Sequence, residues 1–160
     1  MAKRIVHELT YDAPLSEVAA MLADPAFRRE VCDYQAVLRS EVTIEETDAG
    51  LEVRIDQVQA ATGIPAFAAK FVGEEIQIVQ SETWTSREHA DIEVTIPGKP
   101  GDMVGTATLS ESDGTTTETV DLTVKVGIPL VGGKLEGLIS DLLVKALRAE
   151  NAVGRKWLAR

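Results

Sequence analysis

The strongest periodicity lies in about the last thirty residues, where Val131, Leu135, Leu138, Leu142, Ala146, Ala149, Val153 and Trp157 recur at steps of three and four. That spacing places apolar side chains on a single face of one long amphipathic helix. From Val37 to Val126 the pattern is different: apolar and polar residues alternate between turn signals, as half-buried antiparallel strands require. The alternation predicts strands over Val37–Glu46, Leu51–Val58, Glu75–Thr85, Ala90–Ile96, Met103–Glu111 and Thr116–Val126. Asp48-Ala49-Gly50 joins the first two as a hairpin, which puts Val42, Ile44, Leu51, Val53 and Ile55 on one face.

Ahead of these, Arg4 to Tyr11 reads as a first strand with Ile5, His7, Leu9 and Tyr11 on one side. Pro14 ends it. Two short helices follow, one through Val18, Met21 and Leu22, the other opened by Asp24-Pro25 and running through Phe27, Val31 and Tyr34. Thr62-Gly63-Ile64-Pro65 breaks the strand pattern, and Phe67 and Phe71, one helical turn apart, predict a short helix or lid over Ala66–Val72. The long helix is expected to start after Gly127-Ile128-Pro129.

These elements predict an α+β fold in which one helix covers a large sheet. A sheet of about seven strands with a single long covering helix favours strong curvature around the helix, with an internal space that could hold a ligand. Small residues at inward positions, Gly105, Ala107, Ala146 and Ala149, leave that space open or else allow close, dry packing. Phe67 and Phe71 could form its mobile rim.

The length of 160 residues, without internal repeat, low-complexity tract or linker, suits a single domain over residues 1–160 with a core that needs neither disulfides nor metals. No apolar run is long enough for stable membrane insertion. The basic start Met1-Ala2-Lys3-Arg4 lacks the apolar run of a secretory signal, since His7 and Glu8 interrupt it, so a cytoplasmic address is expected. The single cysteine, Cys32, excludes an internal disulfide and a multi-thiolate metal site and reads as a small, partly buried helix residue. A net charge of −10 repels phosphate backbones and anionic surfaces, so no nucleic-acid partner is expected. The basic group Arg148, Arg155, Lys156 and Arg160 is read as complementing the negative end of the long helix.

Candidate chemistry is sparse. His7, on the apolar side of the first strand, is either a base for catalysis near neutral pH or a core histidine satisfied by a hydrogen bond. Neither a nucleophile motif nor a metal-ligand spacing accompanies it or His89, so no metal or cofactor is expected. Glu82 shares a face with Ile76, Ile78, Gln80 and Trp84. A dry position there would be costly for a carboxylate unless it is paired. Glu82 therefore faces a wet cavity or lies beyond the buried part of the sheet, or else a bulge turns it outward. Gln57, Gln80, Glu82 and His7 are the polar groups expected to orient a ligand. The apolar wall is expected from Val53, Ile55, Phe67, Phe71, Trp84, Val94, Ala107, Leu135, Leu138 and Leu142. Gly132-Gly133-Lys134 is not a phosphate loop, because the lysine position counted from Gly127 falls on Gly133; these glycines are expected to ease a sharp turn and a close approach of helix to sheet. The Thr115–Thr119 run reads as the solvated start of a strand.

The element order, with Asp12-Ala13-Pro14 ending the first strand, Val18 following, and Ala23-Asp24-Pro25 between the short helices, resembles the START-like superfamily, also called the helix-grip fold. That superfamily includes polyketide cyclases, lipid-transfer domains and plant pathogenesis-related allergens. Gly127-Ile-Pro-Leu-Val-Gly-Gly-Lys-Leu-Glu136 is similar to a bacterial subgroup of such domains with no established activity. The resemblance implies a cavity between sheet and terminal helix, but no reaction. Ala19 and Ala20 stand after Val18 where many relatives carry a bulky aromatic, and aromatics total 4%, which favours an aliphatic pocket over one that stacks flat rings.

Three readings follow. The first is a binding or carrier module for an apolar or amphipathic small molecule. The second is a cyclase, dehydratase or hydrolase using His7 with Glu82 or Tyr11 as acid and base. The third is a dry protein-interaction domain whose acidic outer face would attract a basic partner. Sequence does not choose an oligomeric state.

Overall fold

The computed structural model describes residues 2–160; Met1, the first residue of the basic start, lies outside the described residues. Strand β1 (Ala2–Tyr11) leads to helices α1 (Leu15–Leu22) and α2 (Pro25–Tyr34). Strands β2 (Arg39–Thr47) and β3 (Gly50–Ala60), helix α3 (Ala66–Val72), strands β4 (Glu75–Ser86), β5 (His89–Thr95), β6 (Asp102–Ser112) and β7 (Thr115–Lys125), and helix α4 (Gly132–Leu158) follow. The seven strands form one curved antiparallel sheet in the order β1-β7-β6-β5-β4-β3-β2. This is the α+β layout, one long helix over a curved sheet, that the alternation and the terminal periodicity predict, and the helix-grip arrangement that the resemblance implies.

Local chemistry explains the boundaries. Pro14 carries the chain out of β1, and the Glu111 carboxylate accepts a hydrogen bond of 2.7 Å from the Leu15 amide at the start of α1. Asp24 caps α2 by accepting from the Ala26 amide at 2.9 Å, with Pro25 at the first helical position. Asp24→Ala is expected to lower stability by about 1 kcal/mol, read as a drop of about 2–4 °C in a thermal melt. In the β2–β3 hairpin Thr47 pairs with Gly50, Val42 with Ile55 and Ile44 with Val53, so the five predicted residues do share the inner face.

Helix α4 begins at Gly132, three residues after the proline expected to open it. Its entry is fixed otherwise. The buried Glu136 carboxylate accepts from the Val126 amide at 2.8 Å, and the Gly132 amide donates to the Ile128 carbonyl at 2.9 Å. A Cβ on Gly132 would collide with the Val126 carbonyl, so this glycine does permit the close approach, whereas Gly133 has open space around it. At the other end Arg155 and Lys156 occupy the last turn, as the helix dipole favours. Arg148 does not; it stands well before the helix end.

The sheet packs asymmetrically against α4. The helix runs close to β1 and β7, with α1 and α2 along its flank, and Phe27 meets Trp157 edge-on at 5.7 Å between ring centres. Gly154 permits this: a Cβ there would stand 2.6 Å from Tyr11 Cε1 and 3.1 Å from Met21 Cε. The core is therefore dense under α1 and α2, where Leu9, Tyr11, Val18, Met21, Phe27, Val53 and Trp84 are buried. Cys32 is buried on α2, and burial pushes its thiol up, away from the reactive range. Among the described residues no helix is long and apolar enough to cross a membrane.

Candidate functional site

Because α4 leans toward β1 and β7, a chamber of about 630 Å3 remains over the α3 end of the sheet. That volume falls within the range of small-molecule pockets. Its sheet wall consists of inner-face residues: Gln57 and Gln59 on β3, Ile76, Ile78 and Gln80 on β4, Val94 on β5 and Met103 on β6. Its helix wall comprises Leu135, Leu138, Ile139, Leu142 and Ala146 on α4, and α3 closes the space with Ala68 and Phe71. The wall is mainly aliphatic. Among the described residues Lys99, Lys145 and Arg148 are the charged ones that border it; no histidine and no carboxylate does.

Seven of the residues read from sequence as ligand-facing line this chamber: Gln57, Phe71, Gln80, Val94, Leu135, Leu138 and Leu142. Val53, Ile55, Glu82, Trp84 and Ala107 share the same inner face but lie in the half filled by the packed core. The alternation predicts their face correctly, whereas their distance from the chamber follows from where α1 and α2 sit. Phe67 packs in a satellite cluster with Val126 and Leu135, under the Lys134 ammonium, while its neighbour one turn on, Phe71, reaches the chamber. His7 is half-buried on β1 opposite Val120 and does not line the chamber.

Of the polar residues expected around a ligand, Gln57 and Gln80 meet the chamber, whereas Glu82 is drawn into a buried ionic cluster beside it. Glu82 keeps its inward position, since the only register shift of the β4–β5 pairing falls beyond it, between Trp84 and Ser86. Arg28 on α2, 3% exposed, grips it with two hydrogen bonds, Nη2 to Oε1 at 2.7 Å and Nη1 to Oε2 at 3.0 Å, and gives its Nε–H to the Leu22 carbonyl at 2.8 Å. Trp84 Nε1 donates to Glu82 Oε1 at 2.9 Å, and the Gln80 amide, which lines the chamber, donates to Oε2. Glu150 on α4 approaches Arg28 at 3.6 Å.

Two further groups complete the cluster. Tyr11 Oη and Glu118 Oε1 are buried without a hydrogen-bond partner among the described residues. Burial, with Glu150 and Glu82 as like-charged neighbours, pushes the Glu118 carboxyl well above the usual carboxylate range. Burial pushes Glu150 up to about 7 against the pull of Arg28, with Glu82 adding to the rise. Burial and the charges of Glu150 and Glu118 likewise push the Tyr11 phenol up. The Thr115–Thr119 run is consequently not solvated at its start: β7 lies between β1 and β6, and Thr116 and Glu118 point into the core. Arg28 escapes the sequence reading altogether, although the need of Glu82 for a cation is a signal that could have led to it.

A family model described as "Protein of unknown function (DUF2505)" matches residues 6–158. The uncharacterized protein Rv0481c of Mycobacterium tuberculosis is 27% identical over 117 residues, which cover 69% of this chain and 67% of the relative. Among solved structures, the aromatase/cyclase ZhuI of Streptomyces sp. R1128 superposes with a TM-score of 0.71 at 14% identity, over 100% of this chain and 95% of that one. Norcoclaurine synthase of Thalictrum flavum gives 0.66 at 13%, over 100% and 88%, and TTHA0849 of Thermus thermophilus gives 0.66 at 20%, over 96% and 95%. At these identities the likeness is one of fold.

Proposed function

Because the chain belongs to the DUF2505 family of proteins of unknown function and encloses a chamber within a helix-grip fold, we propose that it is a binding or carrier module for an apolar or amphipathic small molecule. The observation that carries this reading is the chamber itself, about 630 Å3 between α4, α3 and strands β3 to β6, walled by aliphatic side chains and fitted with four glutamines, Gln57, Gln59 and Gln80 on the sheet and Gln35 after α2. Aliphatic walls favour an apolar body by removing its surface from water, roughly 25 cal/mol for each Å2 buried. Gln57, Gln59 and Gln80 supply donors and acceptors that fix its orientation. Gln80 is held by Glu82, so at least one of these groups is positioned before a ligand arrives. The reading does not depend on any acid–base pair.

The test is to fill the chamber. Ala146→Phe projects a ring from α4 into the space between helix and sheet. Wild type is expected to bind the neutral dye Nile red saturably, with a rise in fluorescence, and Ala146→Phe to weaken that binding at least about ten-fold, equivalent to about 1.4 kcal/mol, with a thermal midpoint close to that of wild type. Equal binding by the two proteins, or no saturable binding by either, overturns the proposal. Native mass spectrometry of protein purified from its source, searched for a retained small molecule, would identify the natural occupant.

A further inference from the structure

The charged residues bordering the chamber are all basic. Acidic residues outnumber basic ones 26 to 16 in the chain, yet the lining contains Lys99, Lys145 and Arg148 and not one aspartate or glutamate. The other exposed arginines placed in ion pairs, Arg4, Arg39, Arg54 and Arg160, each meet a carboxylate within 4 Å. Among the described residues no such pair involves the three bases of the chamber. Lys145 and Arg148 are three residues apart on α4 and so lie on one helix surface, a turn from one another. Tyr34 and Gln35, at the end of α2, border the same space. Toward the start of α4 the wall becomes apolar, through Leu142, Ile139 and Leu138.

Resting on the binding role above, we propose that the occupant is an anionic amphiphile: a single negatively charged head, carboxylate or phosphate, held at the Lys145–Arg148 rim, with an aliphatic body lying in the chamber. The chemistry follows from the polarity of the wall. An acid head receives hydrogen bonds from an ammonium and a guanidinium that have no carboxylate of their own, and those charge-assisted bonds exceed the neutral ones a hydroxyl would make. A cationic head would meet two like charges at the same place. The field of a chain at −10 repels anions at long range, so selectivity arises from these local contacts and not from steering.

Laurate, dodecanol and dodecylammonium share one tail and differ in the head. In competition against Nile red on the full chain at low salt, laurate is expected to displace the dye about ten-fold more readily than dodecanol, with dodecylammonium weakest. Added sodium chloride should narrow the gap. The double variant Lys145→Gln/Arg148→Gln is expected to bring laurate to the level of dodecanol. Equal displacement by laurate and dodecanol in wild type, a preference for laurate that survives in the double variant, or one abolished by Lys99→Gln instead, each overturns the assignment. Failure of all three to displace bound Nile red also overturns it while leaving the chamber's binding role standing; failure of Nile red itself to bind removes that role.

Discussion

Replacing Arg28 by methionine is expected to lower the stability of the fold by about 3–5 kcal/mol. Arg28 is the single cation of a buried group that also holds Glu82, Glu118 and Glu150, contributed by α2, β4, β7 and α4. Methionine fills much of the same volume but leaves Glu82 without its two short hydrogen bonds and Glu150 without its nearest positive charge. The carboxylates must then take up protons or draw water into the core, and either costs more than the pair gained in forming. For a chain of this length the loss corresponds to roughly 6–20 °C in the thermal midpoint. Urea unfolding followed by tryptophan fluorescence, to which Trp157 and Trp84, whose indole donates to Glu82, both contribute, reads the same change. Adding Glu82→Leu to Arg28→Met should restore part of the stability, because the lone buried carboxylate goes with its partner. The recovery stays partial, since Trp84 Nε1 and the Gln80 amide both lose their acceptor. A loss below about 1 kcal/mol for Arg28→Met, the range of a solvent-exposed pair, would show that these charges are not sealed from water.

The fold is legible in the sequence because an antiparallel sheet with one buried face repeats every two residues and a covering helix every three to four. Val42, Ile44, Val53 and Ile55 alternate cleanly, so their face follows with little tertiary information, whereas in Ile76 to Trp84 the inner positions include Gln80 and Glu82 and the opposite face carries the buried Val79. The chamber is legible only in part. Alternation says that Val53, Gln57, Gln80 and Trp84 share a face, but it does not say where along the strands α1 and α2 cover that face, and this decides that Gln57 and Gln80 meet the chamber while Val53 and Trp84 do not. The ionic cluster is harder still. Arg28 is followed by Arg29 on a helix with a polar side, which reads as surface, and Glu118 lies in a run of threonines that reads as solvated. Arg28 becomes meaningful only beside Glu82, 54 positions along the chain, and Glu118 only beside Glu150, Glu82 and Arg28. Glu82 is partly an exception, since a carboxylate in register with isoleucines stands out in the sequence, although a wet cavity or a bulge would explain it as well as a buried cation.

The same cluster makes stability fall as the pH rises through neutrality. Glu150 holds its proton in the folded chain up to about pH 7, whereas its ordinary value is 4.5. Between those two values the folded chain binds more protons than the unfolded one, so raising the pH favours unfolding. The contribution is present in full below the ordinary value, is lost as pH climbs toward 7, and is constant above it. A rise from 4.5 to about 7 amounts to about 3 kcal/mol. Glu118, raised in the same direction by burial and by Glu150 and Glu82, adds to the slope. Arg28 facing from α2 opposes it. Thermal melts between pH 5 and pH 8 should therefore show the midpoint dropping by roughly 6–12 °C. Glu150→Gln, which stays neutral at every pH, should flatten most of that drop, with Glu118 supplying the remainder. A wild-type midpoint that is level or rises over this interval would mean that Glu150 ionises at its ordinary value, and that α4 leaves it open to water instead of pressing it against Arg28.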